Sequence, residues 1–171
     1  VLEKSIRIIR AATGKGIINL NTNASRPYVI DKLFDAGLDS MRVSLNSARA
    51  IYYDRYYKPK GYTFKDVMKS IRTAKDRNGF VSVNYLTMPG FTDLKDEHLA
   101  LKSLIKTYDI DMIQWRNLNF DPLAYFSALR ISPVRTSMLG IREVIRQTMT
   151  ELPRLMMGYF NPSKSRIKRH G

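Results

Sequence analysis

Two rhythms run along this chain. A period of two governs residues 17–21, 40–45, 80–86 and 111–116, where apolar residues interleave with Asn, Ser, Arg or Gln. Each of these runs predicts a short strand. A spacing of three and four governs the stretches between them and predicts helices. Ser25 reads as an N-cap with Pro27 in the first turn, followed by Ile30, Leu33 and Phe34 and stopped by Gly37. A tyrosine-rich helix spans 51–57 and ends before Pro59. Thr63 and Asp66 have capping-box spacing ahead of Phe64, Val67, Met68 and Ile71, a stripe that runs to Asn78-Gly79. Thr92 or Asp93 caps a further helix carrying Leu101, Leu104, Ile105 and Tyr108. After Asp121-Pro122 the pattern weakens, and Ile141, Val144, Ile145 and Thr148 mark a last helix ending near Pro153.

Strands joined by helical crossovers predict an α/β fold with a parallel sheet and right-handed connections. An open Rossmann-like sheet and a curved barrel-like sheet both satisfy that order. An antiparallel sheet with one solvated face gives the same alternation, but the long helical crossovers argue against it. The parity of the polar positions carries more information. Asn19, Asn21 and Asn23 share one parity, as do Arg42, Ser44 and Asn46, Ser82 and Asn84, and Gln114 and Arg116. Ile18, Leu20, Met41, Val43, Leu45, Val81, Val83, Ile113 and Trp115 occupy the other parity and are expected to meet the helices. A parallel sheet covered on both faces reads as continuous apolar strands. A polar face on every strand calls instead for water or a ligand, because buried amides and guanidinium groups without partners are costly. A barrel lumen open at the C-terminal strand ends meets that need.

Composition narrows the chemistry. At 171 residues the chain has room for about one domain. It contains no cysteine, which excludes disulfides, thiolate metal sites and cysteine nucleophiles within these residues. Lys plus Arg number 29 against 15 acids, and the resulting charge of +14 favours an anionic partner. No run of apolar residues reaches the ~18 of a membrane span, and no signal peptide is visible. The first residue is Val, so a piece of a longer chain is expected, and its expected location is cytoplasmic. His98 and His170 lie far apart, and His98, beside Asp96 and Glu97, reads as solvated. No Ser-His-Asp arrangement, P-loop or carboxylate-rich metal site emerges, and no residue is assigned as catalytic or as a metal ligand.

The segments 21–25, 37–47, 57–62, 89–93, 116–122 and 158–162 together resemble radical S-adenosylmethionine (radical SAM) enzymes in order and spacing. The resemblance covers nearly the whole chain apart from the last basic residues. It implies strands three to six of a partial (β/α)6, TIM-like barrel, plus a C-terminal helix and a basic tail. Residues 1–122 form the C-terminal portion of that barrel, 123–163 a helical extension and 164–171 the tail. In the family a Cys-x3-Cys-x2-Cys loop holds a 4Fe-4S cluster that reduces S-adenosylmethionine to a 5′-deoxyadenosyl radical. Neither that loop nor the family's Gly-Gly-Glu-like motif is present, so the cluster ligands are expected upstream of Val1. The resemblance places Asn23, Ser44, Asn46, Ser82, Asn84 and Arg116 at cofactor-binding strand ends, with Arg116 suited to the methionine carboxylate. Asn46 departs from the commoner Asp. The parent is expected to be an enzyme, and this part alone inactive for want of cluster cysteines.

Each assignment has a plainer rival. Asn21 and Asn23 suit turns that bond their own backbone, Ser44 suits a lumen filler, and Arg116 suits an ion pair with Asp121. The segment 49–60 mixes tyrosines with Arg and Lys, which supports an alternative function as a basic nucleic-acid-binding α/β module without catalysis. Tyr52/Tyr56 and Tyr53/Tyr57 are also i, i+4 pairs, and aromatic packing is the commoner use of that spacing. A degenerate barrel that binds a nucleotide-like molecule without a cluster is a third reading. RNA, the upstream part of the same parent and an unassigned substrate are the partners expected, and no membrane. A fragment of a barrel also leaves a sheet edge unpaired, so poor stability or self-association is expected. The barrel alone does not choose the substrate.

Overall fold

The computed structural model describes residues 1–132, 138–158, 161–163, 165 and 167. Twelve elements follow in the order α1 (Leu2–Ala12), β1 (Asn19–Thr22), α2 (Pro27–Asp35), β2 (Ser40–Leu45), α3 (Ala50–Tyr57), α4 (Phe64–Asp76), β3 (Phe80–Thr87), α5 (Lys95–Tyr108), β4 (Met112–Asn117), α6 (Pro122–Leu129), α7 (Ile141–Glu151) and β5 (Met156–Met157). The five strands make one sheet in the order β1-β2-β3-β4-β5, and every pairing is parallel. This removes the antiparallel rival. It also decides between the two parallel architectures. A doubly wound sheet must reverse its strand order somewhere. An unreversed order with right-handed crossovers puts the connecting helices on one side, as in a barrel.

That side holds the main core. Ile30, Leu33 and Phe34 of α2, Val67 and Ile71 of α4, and Leu101, Leu104 and Ile105 of α5 pack with Met41, Val43, Leu45, Val81, Val83, Tyr85 and Ile113 of the strands. Burying each large aliphatic side chain here contributes about 1.5–3 kcal/mol. The strand parity read from the sequence is therefore the parity that meets the helices. A second cluster of Phe91, Tyr125, Phe126 and Leu129 lies beyond the C-terminal strand ends. A third, Phe80, Met112 and Met156 with Ile167 against it, fills the N-terminal end of the other sheet face.

Local signals account for most boundaries. Thr63 and Asp66 form the capping box of α4, with Asp66 Oδ2 accepting from the Thr63 backbone N–H at 2.8 Å. Asp121 caps α6, its Oδ1 accepting from the Ala124 N–H at 2.8 Å, and Pro122 starts the helix where a missing N–H costs little. Other expectations change. Arg26, not Ser25, is the N-cap of α2. Leu94 is the N-cap of α5, because Thr92 and Asp93 spend their side chains on the preceding turn: Thr92 Oγ1 accepts from the Met88 N–H at 2.9 Å and Asp93 Oδ1 from the Gly90 N–H at 2.6 Å. The weak stretch after residue 121 contains α6, and the extension expected over 123–163 returns to the sheet as β5. The basic tail lies largely outside the described residues.

Gly79 marks a close approach between α4, α2 and β3. A Cβ there would lie 2.8 Å from the Ala74 carbonyl oxygen and inside contact distance of the Phe34 ring. At the N-terminal strand ends, two carboxylates tie neighbouring strands together. Asp39 Oδ2 accepts from the Ile18 N–H at 2.6 Å and pairs with Arg10. Asp111 Oδ2 accepts from the Val81 N–H at 2.7 Å, and Lys75 Nζ lies 2.7 Å from its Oδ1. Burial pushes the Asp111 carboxyl upward despite these donors.

Candidate functional site

The sheet face turned away from the helices is polar in rows. Parallel register places laterally paired residues on the same face. Asn19 pairs with Ser40, and Ser40 with Phe80. The next row runs Asn21, Arg42, Ser82, Met112 and Met156. Above it come Ser44, Asn84 and Gln114, and then Leu86 beside Arg116. None of these face residues is acidic.

Burial is uneven along the rows. Ser82, Gln114 and Arg42 are buried, Asn84 and Arg116 half-buried, and Ser44 exposed. Two amide oxygens on one row, Asn84 Oδ1 and Gln114 Oε1, are shielded from solvent and have no hydrogen-bond partner among the described residues. Such groups cost about 1–3 kcal/mol each while unpaired, so a hydrogen-bond donor placed on the row would be stabilised there. Arg42 Nε donates to Ser82 Oγ at 3.3 Å, and its Nη2 donates to Asn161 Oδ1. Burial, together with the Arg116 charge, lowers the Arg42 pKa from its usual range.

The six cofactor-binding candidates thus separate. Ser44, Ser82, Asn84 and Arg116 share this face. Asn23 lies past the end of β1, exposed, with its Oδ1 accepting from the Ser25 N–H at 3.2 Å in the self-bonded turn typical of Asn. Asn46 lies past the end of β2, where the alternation has stopped. It is fully buried, its Nδ2 donates to the Tyr52 carbonyl at 3.1 Å, and its Oδ1 has no partner. It faces Tyr125, whose hydroxyl burial pushes well above the usual range while Asn46 pulls the other way.

The rim also holds a charge that sequence reasoning passed over. Glu97, in the first turn of α5, is fully buried. It accepts from Ser47 Oγ at 2.8 Å, the Ala48 N–H at 2.8 Å, Arg49 Nε at 2.7 Å and the Tyr85 hydroxyl. The loop after β2 is thereby fixed to α5 and β3. Burial and the Glu97 charge hold the Tyr85 hydroxyl far above its usual pKa, so it acts as a donor. Arg49 in turn stacks on Tyr52, with its guanidinium carbon 4.4 Å from the ring centroid.

His98 is a correction. It is buried, not solvated, and its Nε2 lies 3.1 Å from Thr148 Oγ1 of α7. Burial lowers its pKa and favours the neutral ring. The α3 tyrosines are used in packing: Tyr52 meets Phe91 at 5.2 Å, Tyr53 meets Tyr57 at 4.7 Å, and Tyr56 meets Tyr125 at 5.3 Å. Among the described residues no group of His, Cys, Asp and Glu could hold a metal ion, and no helix is long and apolar enough to cross a membrane.

Known proteins were compared with this geometry. No curated protein matches the chain. A crystal structure of methylornithine synthase (PylB) superposes with a TM-score of 0.63 at 16% identity, over 91% of this chain and 43% of that one. A radical SAM methyltransferase from Sphaerobacter thermophilus superposes with a TM-score of 0.55 at 15% identity, over 85% of this chain and 41% of that one. The chain therefore spans less than half the length of either neighbour, and the likeness is one of fold. The family model of the radical SAM superfamily matches residues 1–101. An unreversed parallel sheet, a face lined by polar rows and a family match over more than half of its 171 residues place this chain in the radical SAM superfamily.

Proposed function

We propose that this chain supplies part of the S-adenosylmethionine- and substrate-facing wall of a radical SAM enzyme. The observation that carries this reading is the Ser44–Asn84–Gln114 row, with two buried amide oxygens that lack donors among the described residues. S-adenosylmethionine offers ribose hydroxyls and an ammonium group as donors, which fit those acceptors. Its carboxylate fits a guanidinium, for which Arg116 is placed at the C-terminal end of β4. Ser44 and Ser82 provide hydroxyls on the same face. Asn23 and Asn46 would act from the rim.

A 4Fe-4S cluster does not fit the residues present, because the chain has no thiolate to bind it. Its ligands would come from elsewhere in the complete polypeptide. There the bound pair would supply the electron transfer that opens S-adenosylmethionine to a 5′-deoxyadenosyl radical. The work of this chain's own residues is to bind, orient and shield. The nucleic-acid reading is left with net charge for support, since the α3 aromatics are occupied by packing.

The test is iron–sulfur reconstitution of the complete polypeptide, followed by detection of 5′-deoxyadenosine under reducing conditions. Its formation, weakened by Asn84→Ala together with Arg116→Met, is the expected result. A reconstituted, reduced protein that forms none would end the proposal.

A further inference from the structure

Arg42 stands apart from the half-buried cations among the described residues. It is 8% exposed and sits on the polar face one row nearer the N-terminal strand ends than Ser44, Asn84 and Gln114. Arg10, Lys75 and Arg49 each pair with a carboxylate. Arg42 has no such pair among the described residues; its two partners, Ser82 Oγ and Asn161 Oδ1, are neutral oxygens. An amide or hydroxyl dipole offsets only part of a guanidinium charge, and a buried cation without a counter-charge is costly. Arg116 on the same face adds to the positive potential, and no face residue is acidic.

The placement separates two cationic positions. Arg116 lies on the Leu86 row and Arg42 on the Ser82 row, four residues apart along β3. At about 3.3 Å per residue that is roughly 13 Å along the strand. The two guanidinium groups are thus anchored at different depths of the face. The cation at the C-terminal end suits S-adenosylmethionine under the function proposed above, which leaves the deeper one without an anion.

Resting on that reading, we infer that Arg42 binds the acid group of the substrate, a small carboxylate or phosphate monoester. The guanidinium fork matches either acid in bidentate geometry.

The experiment is calorimetric titration of the complete, cluster-reconstituted polypeptide with L-malate, glycerol 3-phosphate and, as a neutral control, glycerol. Each titration is run with and without saturating S-adenosylmethionine. Binding of one acid but not of glycerol is expected, and which acid binds distinguishes carboxylate from phosphate. Arg42→Gln should weaken that acid by about tenfold or more, with S-adenosylmethionine affinity unchanged. If Arg42→Gln fails to fold, Arg42→Lys keeps the charge, loses the fork and should weaken the acid severalfold. A protein that binds S-adenosylmethionine but neither acid overturns the inference. So does a loss of S-adenosylmethionine affinity equal to the loss of acid affinity, which would assign Arg42 to the cofactor. Wild-type protein that fails to bind S-adenosylmethionine counts against the function proposed above, and its titration with the acids alone still decides the role of Arg42.

Discussion

Glu97 and Arg42 are both buried, both charged and both carried on elements of the same sheet-and-helix layer, yet their surroundings differ in kind. Glu97 accepts hydrogen bonds from two side-chain hydroxyls, a backbone N–H and a guanidinium. Arg42 meets a serine and an asparagine. A buried charge satisfied by its own chain serves architecture, here the anchoring of the loop after β2. A buried charge given only neutral partners, on a face with orphaned amide oxygens, points outward to a ligand.

Four substitutions probe that contrast. Glu97→Ala strands the Arg49 guanidinium and the Tyr85 hydroxyl, and should cost about 3–5 kcal/mol. Urea denaturation measures this, and a loss below ~1 kcal/mol would show that the carboxylate is not the anchor. Gly79→Ala is a steric lesion that leaves both charges in place. It drives a methyl group toward the Ala74 carbonyl and the Phe34 ring and should cost about 1–3 kcal/mol. Comparing its ligand affinity with that of Arg42 variants separates loss of fold from loss of charge.

Arg42→Met is the sharpest test. Replacing an uncompensated buried cation with an apolar chain of similar length should leave stability unchanged or raise it by about 1 kcal/mol. A loss as large as that of Glu97→Ala would erase the distinction between the two charges. The smallest effect belongs to Asp66, whose carboxyl pKa is lowered first by the Thr63 hydroxyl and then by the Thr63 backbone N–H. A depressed acid stabilises the fold above its unfolded pKa and loses that contribution as pH falls through the folded value. Asp66→Asn should therefore narrow the difference in urea midpoint between pH ~6 and pH ~2.5, around the usual Asp range. An unchanged difference would remove the capping box from the acid response.

How much of this was legible beforehand depended on the range of each interaction. β2 and β3 begin where the alternation predicts, because strand parity is written in consecutive residues. The capping box of α4 was equally visible, since Thr63 and Asp66 are three residues apart. The alternation misled at strand ends: it counts Asn46 with Ser44, but the backbone leaves the sheet after Leu45 and the side chain turns into the rim. Long-range partners were invisible. Glu97 and His98 sit in an acidic stretch that reads as solvated, yet their partners include Ser47 and Thr148, each 50 residues away. β5 has two residues, too few to show a period. Arg42 and Gln114 were visible by parity, but only their burial and their partners distinguish them from ordinary lumen residues.

The bond between Arg42 and Asn161 has a consequence in time. It joins positions 119 residues apart, and the polar residues of the face, carried by β1 to β4, all precede residue 118. A ribosome releasing this chain in order therefore exposes those polar rows, with their deepest cation uncovered, well before Asn161 emerges. During that interval the growing chain presents a cationic patch to whatever anions surround it, and the amide of Asn161 is the last neutral partner to arrive.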